Sequence, residues 1–270
     1  MIGAVVFRLK AEQNGRLPKT QGRLLHAAFF RILQFYSEEL AACTHEDVRF
    51  KAFTVSELIP AKEEKYAGGF LPVRQNDVFY WRVTVLDDSL LQAVLSVSQG
   101  YVIQAGSLPL SVEQIITDDD TFGATGILDV NELMAACLSV KAVKRITFRF
   151  TSPVSFRSFQ DDYPFPLPQL IFGSIADKWN LAGMPATFDK EEIREVAANL
   201  LPESWKGRTR QVFLKSDRGV TGFTGEFSFN VSMLTKEMQQ LFLLLAQFAQ
   251  FSGVGRLTGQ GLGQAAVTFQ

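Results

Sequence analysis

Only two histidines occur in the chain, His26 and His45, so any imidazole chemistry rests on one or both. Histidine moves protons near neutrality because its unperturbed pKa is about 6.5. His45 stands in a polar stretch after the first helical segment, where a side chain can reach solvent and a bound molecule, and is the first choice for proton transfer. His26 falls on a segment with helical apolar spacing, at the edge of the apolar face beside Arg23 and Phe30. It is either a second proton carrier or a boundary residue that packs its ring and hydrogen-bonds locally. Paired H-x-[ST] chemistry is disfavoured, because His26 is followed by Ala27-Ala28 and His45 by Glu46-Asp47. Cys43 and Cys137 lack CxxC spacing, so neither a disulfide framework nor a cysteine-based zinc site is expected. Asp118-Asp119-Asp120, Glu38-Glu39 and Asp161-Asp162 read as solvated turns rather than cation sites, and no metal or other cofactor is expected. The serines lack an orienting partner for a nucleophilic triad.

The second chemical signal is the segment 253–263, in which Gly253, Gly255, Gly259, Gly261 and Gly263 make five of eleven positions. Glycine admits positive φ and lets backbone N–H groups approach an anion. Arg256 adds charge and Thr258 a hydroxyl. The segment is neither a Walker A loop nor a dinucleotide fingerprint, because no GK[ST] follows and it runs from helix to strand. Two readings stay open, a phosphate-contacting loop and a tight connection packed against a neighbouring element.

The 27 Lys+Arg against 28 Asp+Glu give a net charge of -1, which hides an uneven distribution. Arg8, Lys10, Arg16, Lys19, Arg23 and Arg31 cluster near the N-terminus, and Lys206, Arg208, Arg210, Lys215 and Arg218 in the second half. Residues 99–140 hold no Lys or Arg. Such segments form either a phosphate-binding surface or ordinary solvated faces. Arg145 and Arg149 lie four apart on a strand and so share a face, with Arg157 further along. Most of the 24 Phe sit at core spacing; Phe156 and Tyr163 are candidates to stack on an unpaired base.

Elements must position these residues. With 270 residues and 47% apolar content, the chain can bury a substantial core in one large domain or two. No apolar run of membrane-spanning length occurs, and the N-terminus reads as a strand, so a cytoplasmic protein without membrane association is expected. Residues 2–10 alternate as a strand, and 20–36 follow helical spacing with Thr20 as N-cap. Extended segments are expected at 48–58, 77–86, 101–105 and 110–117, with a helix over 88–98 that turns Leu91, Val94 and Leu95 inward. The second half repeats the order: a strand over 143–152 interrupted by Pro153, helices over 168–181 and 189–200, a hairpin of 209–216 with 220–231, a helix over 235–250 and a strand over 263–269. The fold class is α+β, two tandem ferredoxin-like (βαββαβ) domains, 1–140 and 141–270.

The glycine pattern at 253–263 resembles the glycine-rich loop of the RAMP superfamily of CRISPR-associated proteins. The segment His45-Glu-Asp-Val-Arg-Phe-Lys51-Ala-Phe53-Thr54-Val-Ser56 is similar to one in the CRISPR repeat-processing endoribonucleases. Leu17-Pro18 with Gly22-Arg-Leu-Leu-His-Ala-Ala-Phe29 resembles their first helix, and Ser152-Pro153 with the Pro-rich run to Lys178-Trp179-Asn180 resembles their middle. The resemblance implies metal-independent cleavage of precursor CRISPR RNA within its repeats. The ribose 2′-OH would attack the adjacent phosphate, giving a 2′,3′-cyclic phosphate and a 5′-OH. It implies His45, with His26 as competitor or partner, for proton transfer, and Lys51 for charge on the phosphorane. Several relatives carry a tyrosine on the first helix; Phe30 stands there and cannot donate a hydrogen bond. Repeat RNA is the implied partner, contacted by Arg16, Lys19, Arg23, Arg145, Arg149, Arg157, Lys206, Arg208, Arg210, Lys215, Arg218 and the glycine-rich loop. Effector-complex subunits and a second copy of the chain are further partners it leaves open, and a non-catalytic subunit that binds CRISPR RNA in such a complex is the alternative function.

Overall fold

A computed structural model describes residues 1–47, 50–62, 68–118, 124–158, 161–215 and 218–270. Residues 2–127, joined by 259–261, form one compact unit, and 128–258 with 262–270 form the other. The boundary falls near 128 rather than 140.

The first unit contains β1 (Ile2–Ala11), β2 (Gly15–Pro18), α1 (Gly22–Tyr36), α2 (Glu38–Glu46), β3 (Phe53–Val55), β4 (Ile59–Pro60), β5 (Phe70–Val73), β6 (Val78–Val85), α3 (Asp88–Leu95), β7 (Val102–Ala105) and β8 (Leu108–Ile116), and ends in β9 (Gly126–Leu128). The main sheet runs β3-β6-β1-β8-β7, with antiparallel pairing at every step. Taking β1, β3, β6 and β8 as first to fourth, the order 2-3-1-4 is that of a βαββαβ unit, with β7 added as a hairpin on the edge. Phe7, Leu9 and Trp81 of the sheet are buried in one cluster with Leu25, Phe29 and Ile32 of α1.

Two helix starts show how local chemistry sets the elements. Asp87 accepts from the Ser89 and Leu90 N–H groups and caps α3. Thr20 does not cap α1: the N-cap is Gln21, which turns inward, fully buried, and accepts from the Leu58 N–H through Oε1 at 3.0 Å. Leu95, expected inward, is exposed, because α3 ends there and its inner face is completed by Leu90, Leu91 and Val94.

The second unit contains α4 (Val130–Ser139), β10 (Arg145–Val154), β11 (Phe156–Ser158), β12 (Asp161–Tyr163), α5 (Pro168–Leu181), α6 (Lys190–Ala198), β13 (Leu201–Lys215), β14 (Arg218–Asn230), α7 (Lys236–Ser252) and β15 (Ala265–Phe269). Its sheet runs β13-β14-β10-β15, again 2-3-1-4 when β10, β13, β14 and β15 are counted in chain order. Both halves are therefore ferredoxin-like. Pro153 lies within β10, where the ladder to β14 jumps from Phe150 opposite Gly225 to Val154 opposite Phe223. The core is aromatic: Phe172 lies 4.5 Å from Phe242 and 5.6 Å from Phe148 between ring centroids. Helix α4 belongs here because Gln240 of α7 donates to the Leu138 and Val140 carbonyl oxygens at 2.7 and 2.8 Å.

Candidate active site

The site is built on the start of α1. A Cβ on Gly22 would lie 1.8 Å from the Gln260 carbonyl oxygen, so only glycine lets the helix start meet residues 260–261. One turn further on, His26 occupies the same helix face. Its Nδ1 lies 2.7 Å from the Gly259 carbonyl oxygen. A carbonyl only accepts, so Nδ1 carries the proton and donates it. In the neutral ring Nε2 is then the lone-pair nitrogen. The half-buried ring packs 4.9 Å from Phe30 and 5.6 Å from Phe53. Burial draws the His26 pKa below its ordinary value; the Gly259 hydrogen bond opposes this, and the nearby charges of Lys51, His45 and Arg23 add to it.

His45 lies in the last turn of α2, a helix too polar to show apolar spacing in the sequence. It is exposed, with its ring edge-on to Phe30 at 5.5 Å. Phe30 thus contacts both histidines. Lys51 Nζ donates to the Thr44 and His45 carbonyl oxygens at 2.7 and 2.9 Å, groups left open at the end of α2. Burial lowers the Lys51 pKa, with Asp47 opposing. A Cβ on Gly259 would lie 3.4 Å from the Phe53 ring and 3.6 Å from the Lys51 Cβ, so the backbone here runs close beside both. The three expected catalytic residues are therefore gathered in one unit, around Phe30 and Gly259.

The glycine-rich segment divides its labour. Gly253, Gly255 and Gly263 all have positive φ, and a Cβ would strike Thr258, the Ser155 oxygen and the Val254 oxygen respectively. Their N–H groups donate to Ala249 O, Ser174 Oγ and Pro153 O at 2.9, 2.9 and 3.0 Å. These three are packed connections, not open phosphate donors, because protein atoms occupy the space an anion would need. Thr258 is buried and Arg256 pairs with Asp162, so neither stands free, and Asp162 is no solvated turn residue. Gly259 and Gly261 instead reach the site described above.

One residue holding this segment stands in the stretch Lys178-Trp179-Asn180, which in sequence carries the family resemblance but no chemical role. Lys178 of α5 is buried, and its Nζ donates to the Ser252 and Gly253 carbonyl oxygens, each at 3.0 Å, and to Thr258 Oγ1 at 3.3 Å. Burial pushes its pKa down to about 7. The readable hint was a lysine on the inward stripe of an apolar helix.

The expected RNA contacts are spread over both units. Arg16, Lys19 and Arg23 are exposed in the first, with the Arg16 guanidinium 4.6 Å over the Phe70 ring. In the second, Arg149, Arg157, Lys206 and Arg208 are exposed and Arg210 is half-buried. Arg145 is occupied by Glu203 and Gln270. Lys215 and Arg218 are backbone partners in the β13–β14 ladder. Phe156, a candidate stacking residue, is buried in the core. Asp119 and Asp120 lie outside the described residues, and among the described residues no three His, Cys, Asp or Glu gather as a metal cluster.

Comparison with known proteins decides the family. The family model "CRISPR-associated endoribonuclease Cas6" matches residues 148–265, and "CRISPR Cas6 N-terminal domain" matches residues 3–117. A Thermus thermophilus Cas6 structure is 30% identical over 99% of this chain and 98% of its own, with a TM-score of 0.72. The chain belongs to the Cas6 family of CRISPR-associated endoribonucleases. A Cas6 product complex is 29% identical over 99% of this chain and 100% of its own, with a TM-score of 0.77. A Cas6-related protein from Pyrococcus furiosus, 13% identical over 99% of both chains, shares the fold at a TM-score of 0.67. Among curated proteins no sequence match is found. No helix among the described residues of this Cas6 chain is long and apolar enough to cross a membrane.

Proposed function

We propose that this Cas6 protein binds CRISPR repeat RNA and cuts precursor CRISPR RNA within each repeat, through attack of a ribose 2′-OH on the adjacent phosphate. The observation that carries the reading is the gathering of His26, His45 and Lys51 around Phe30 and Gly259. Likeness to a Cas6 product complex supports the substrate class.

The geometry supports the following roles. His26 has its Nδ1 proton fixed on Gly259, so Nε2 is the basic atom, and burial keeps the ring neutral at pH 7. It takes the 2′-OH proton. His45, exposed at the end of α2, delivers a proton to the leaving 5′-oxygen. Lys51 bonds two carbonyls and keeps a third N–H for the phosphorane oxygens. Phe30 spaces the two rings and takes no part in proton transfer. The products are a 2′,3′-cyclic phosphate and a 5′-OH, formed without a metal ion. The test is cleavage of repeat RNA in excess EDTA by the wild type and by His26→Ala, His45→Ala and Lys51→Ala, with binding measured in parallel. Binding retained with cutting lost in the His26 and His45 variants supports these roles; unchanged cutting in both removes them.

A further inference from the structure

Within the first unit, a groove of about 450 Å³ opens where α1 ends and α2 and α3 begin. Tyr36 and Leu40 give it an apolar wall, Gln92 an amide, and Glu39 and Asp88 its charge. Apolar surface continues beyond the groove. Phe35, beside Tyr36 at the end of α1, is 68% exposed, and its ring rests 5.2 Å from that of Tyr101. Leu95, three residues past Gln92 on the same face of α3, is also exposed. Single exposed apolar residues are ordinary, but a group of them around a groove marks a binding surface. Phe35 has the features of an interface anchor, an aromatic ring held from one side and open on the other.

The charge lining the groove is negative only. No Lys or Arg occurs between Arg31 and Arg49 or between Arg82 and Lys141, so α2, α3, β7 and β8 carry none. Glu39 and Asp88 stand in the first turns of α2 and α3, where a carboxylate also suits the helix dipole, and both are exposed. Among the described residues Glu39 is in no ion pair. Arg31, the cation before Phe35 on α1, donates to the Gln104 carbonyl oxygen at 3.4 Å. Such a wall repels the phosphates of a nucleic acid. A second copy docked about a two-fold axis would bring the acids of both copies onto one interface. A helix with an apolar stripe flanked by Lys or Arg matches both features of the face. Its apolar side chains enter beside Phe35 and Tyr36, and its cations meet Glu39 and Asp88.

We propose that this face is a docking site for another protein, which lays a basic amphipathic helix into the groove with Phe35 and Tyr36 as the apolar anchors. The inference goes beyond RNA cleavage and stands whether or not the chain cuts RNA.

The experiment measures binding of the full chain to a fluorescently labelled helical peptide of Leu and Lys, with a Leu and Glu peptide of the same pattern as control. Phe35→Ser and the double variant Glu39→Lys/Asp88→Lys are compared with the wild type, and circular dichroism and thermal melts check the fold. The wild type is expected to prefer the Leu/Lys peptide. Binding should be about 5- to 30-fold weaker in Phe35→Ser, and the double variant should prefer the Leu/Glu peptide instead. Equal affinity of the wild type for both peptides, binding of neither, or Leu/Lys binding that neither variant weakens overturns the proposal. A short oligouridylate that binds the wild type but not Phe35→Ser also overturns it and makes nucleic acid the occupant. Sedimentation showing a dimer that Phe35→Ser dissociates overturns it as well and makes a second copy the occupant.

Discussion

His26 Nδ1 meets the Gly259 carbonyl oxygen at 2.7 Å, joining residues 233 apart in the sequence. The glycine-rich segment therefore sets the tautomer of a candidate catalytic base. This gives Gly259 and Gly261 a role that glycine's affinity for phosphate alone does not explain. Replacing His26 by Ala is expected to lower the single-turnover cutting rate at least about 100-fold, the usual scale of general acid–base catalysis. Repeat RNA affinity should change by less than about threefold, since a neutral ring contributes little to phosphate binding. Quench-flow cleavage and filter binding on the same preparation read the two effects separately.

The rate should also carry the titration of that ring. The His26 pKa lies below the ordinary 6.5, with burial as the main cause. Only the neutral ring accepts the 2′-OH proton, so the rate falls on the acid side, with its midpoint below 6.5. The same shift makes the group's contribution to stability complete above the unfolded value and lost as pH falls through the folded one. A pH–rate profile at saturating enzyme checks the acid limb, and a midpoint above 6.5 argues against His26 as the base.

Gly22→Ala tests the support rather than the chemistry. Its Cβ would lie 1.8 Å from the Gln260 oxygen, so helix and loop tip must separate. The expected cost is about 1–3 kcal/mol of stability, the range for overpacking. Cutting should fall by more than the unfolded fraction explains, because Gly259 moves with Gln260. Thermal melts alongside cleavage at a temperature well below the melting point make the comparison.

Lys178→Met keeps an apolar stem and removes three hydrogen bonds to Ser252, Gly253 and Thr258. A loss of about 2–4 kcal/mol is expected, because the buried Ser252 carbonyl oxygen loses the Lys178 donor and the Gly253 oxygen keeps only the Ser252 hydroxyl. The pH dependence has a definite sign. Lys178 has an ordinary value of 10.5, pushed down to about 7 in the fold. Its contribution is complete above the unfolded value and lost as pH falls through the folded one. The stability gap between wild type and variant should therefore narrow as pH falls from about 10 toward 7, which denaturant titrations across that range measure.

Much of this arrangement was legible in residue order. Apolar spacing located α1, α5 and α7, aromatic and β-branched content located β6, and β14 was legible as one arm of a hairpin. The repeated element order carried the two ferredoxin-like units. Helix α2 escaped, because Glu38–Glu46 has one buried residue, Ala41, and so almost no apolar stripe. Its start was readable only as a cap, with the Ser37 hydroxyl accepting from the Leu40 N–H. The two histidines were visible as chemistry but not as partners. Their meeting on Phe30 depends on the turn from α1 into α2, which no periodicity records. Gly22 reads in sequence as a poor helix former, and only the approach of Gln260 explains it.

The most direct measurement is cleavage of CRISPR repeat RNA by the wild-type protein in excess EDTA, with the product ends mapped and the His26→Ala, His45→Ala and Lys51→Ala variants run beside it. The account predicts one cut per repeat, a 2′,3′-cyclic phosphate on the upstream product, a 5′-OH on the downstream one, and loss of cutting with binding retained in both histidine variants. Products bearing a 5′-phosphate, or tight binding of the repeat with no cut by the wild type, would contradict it.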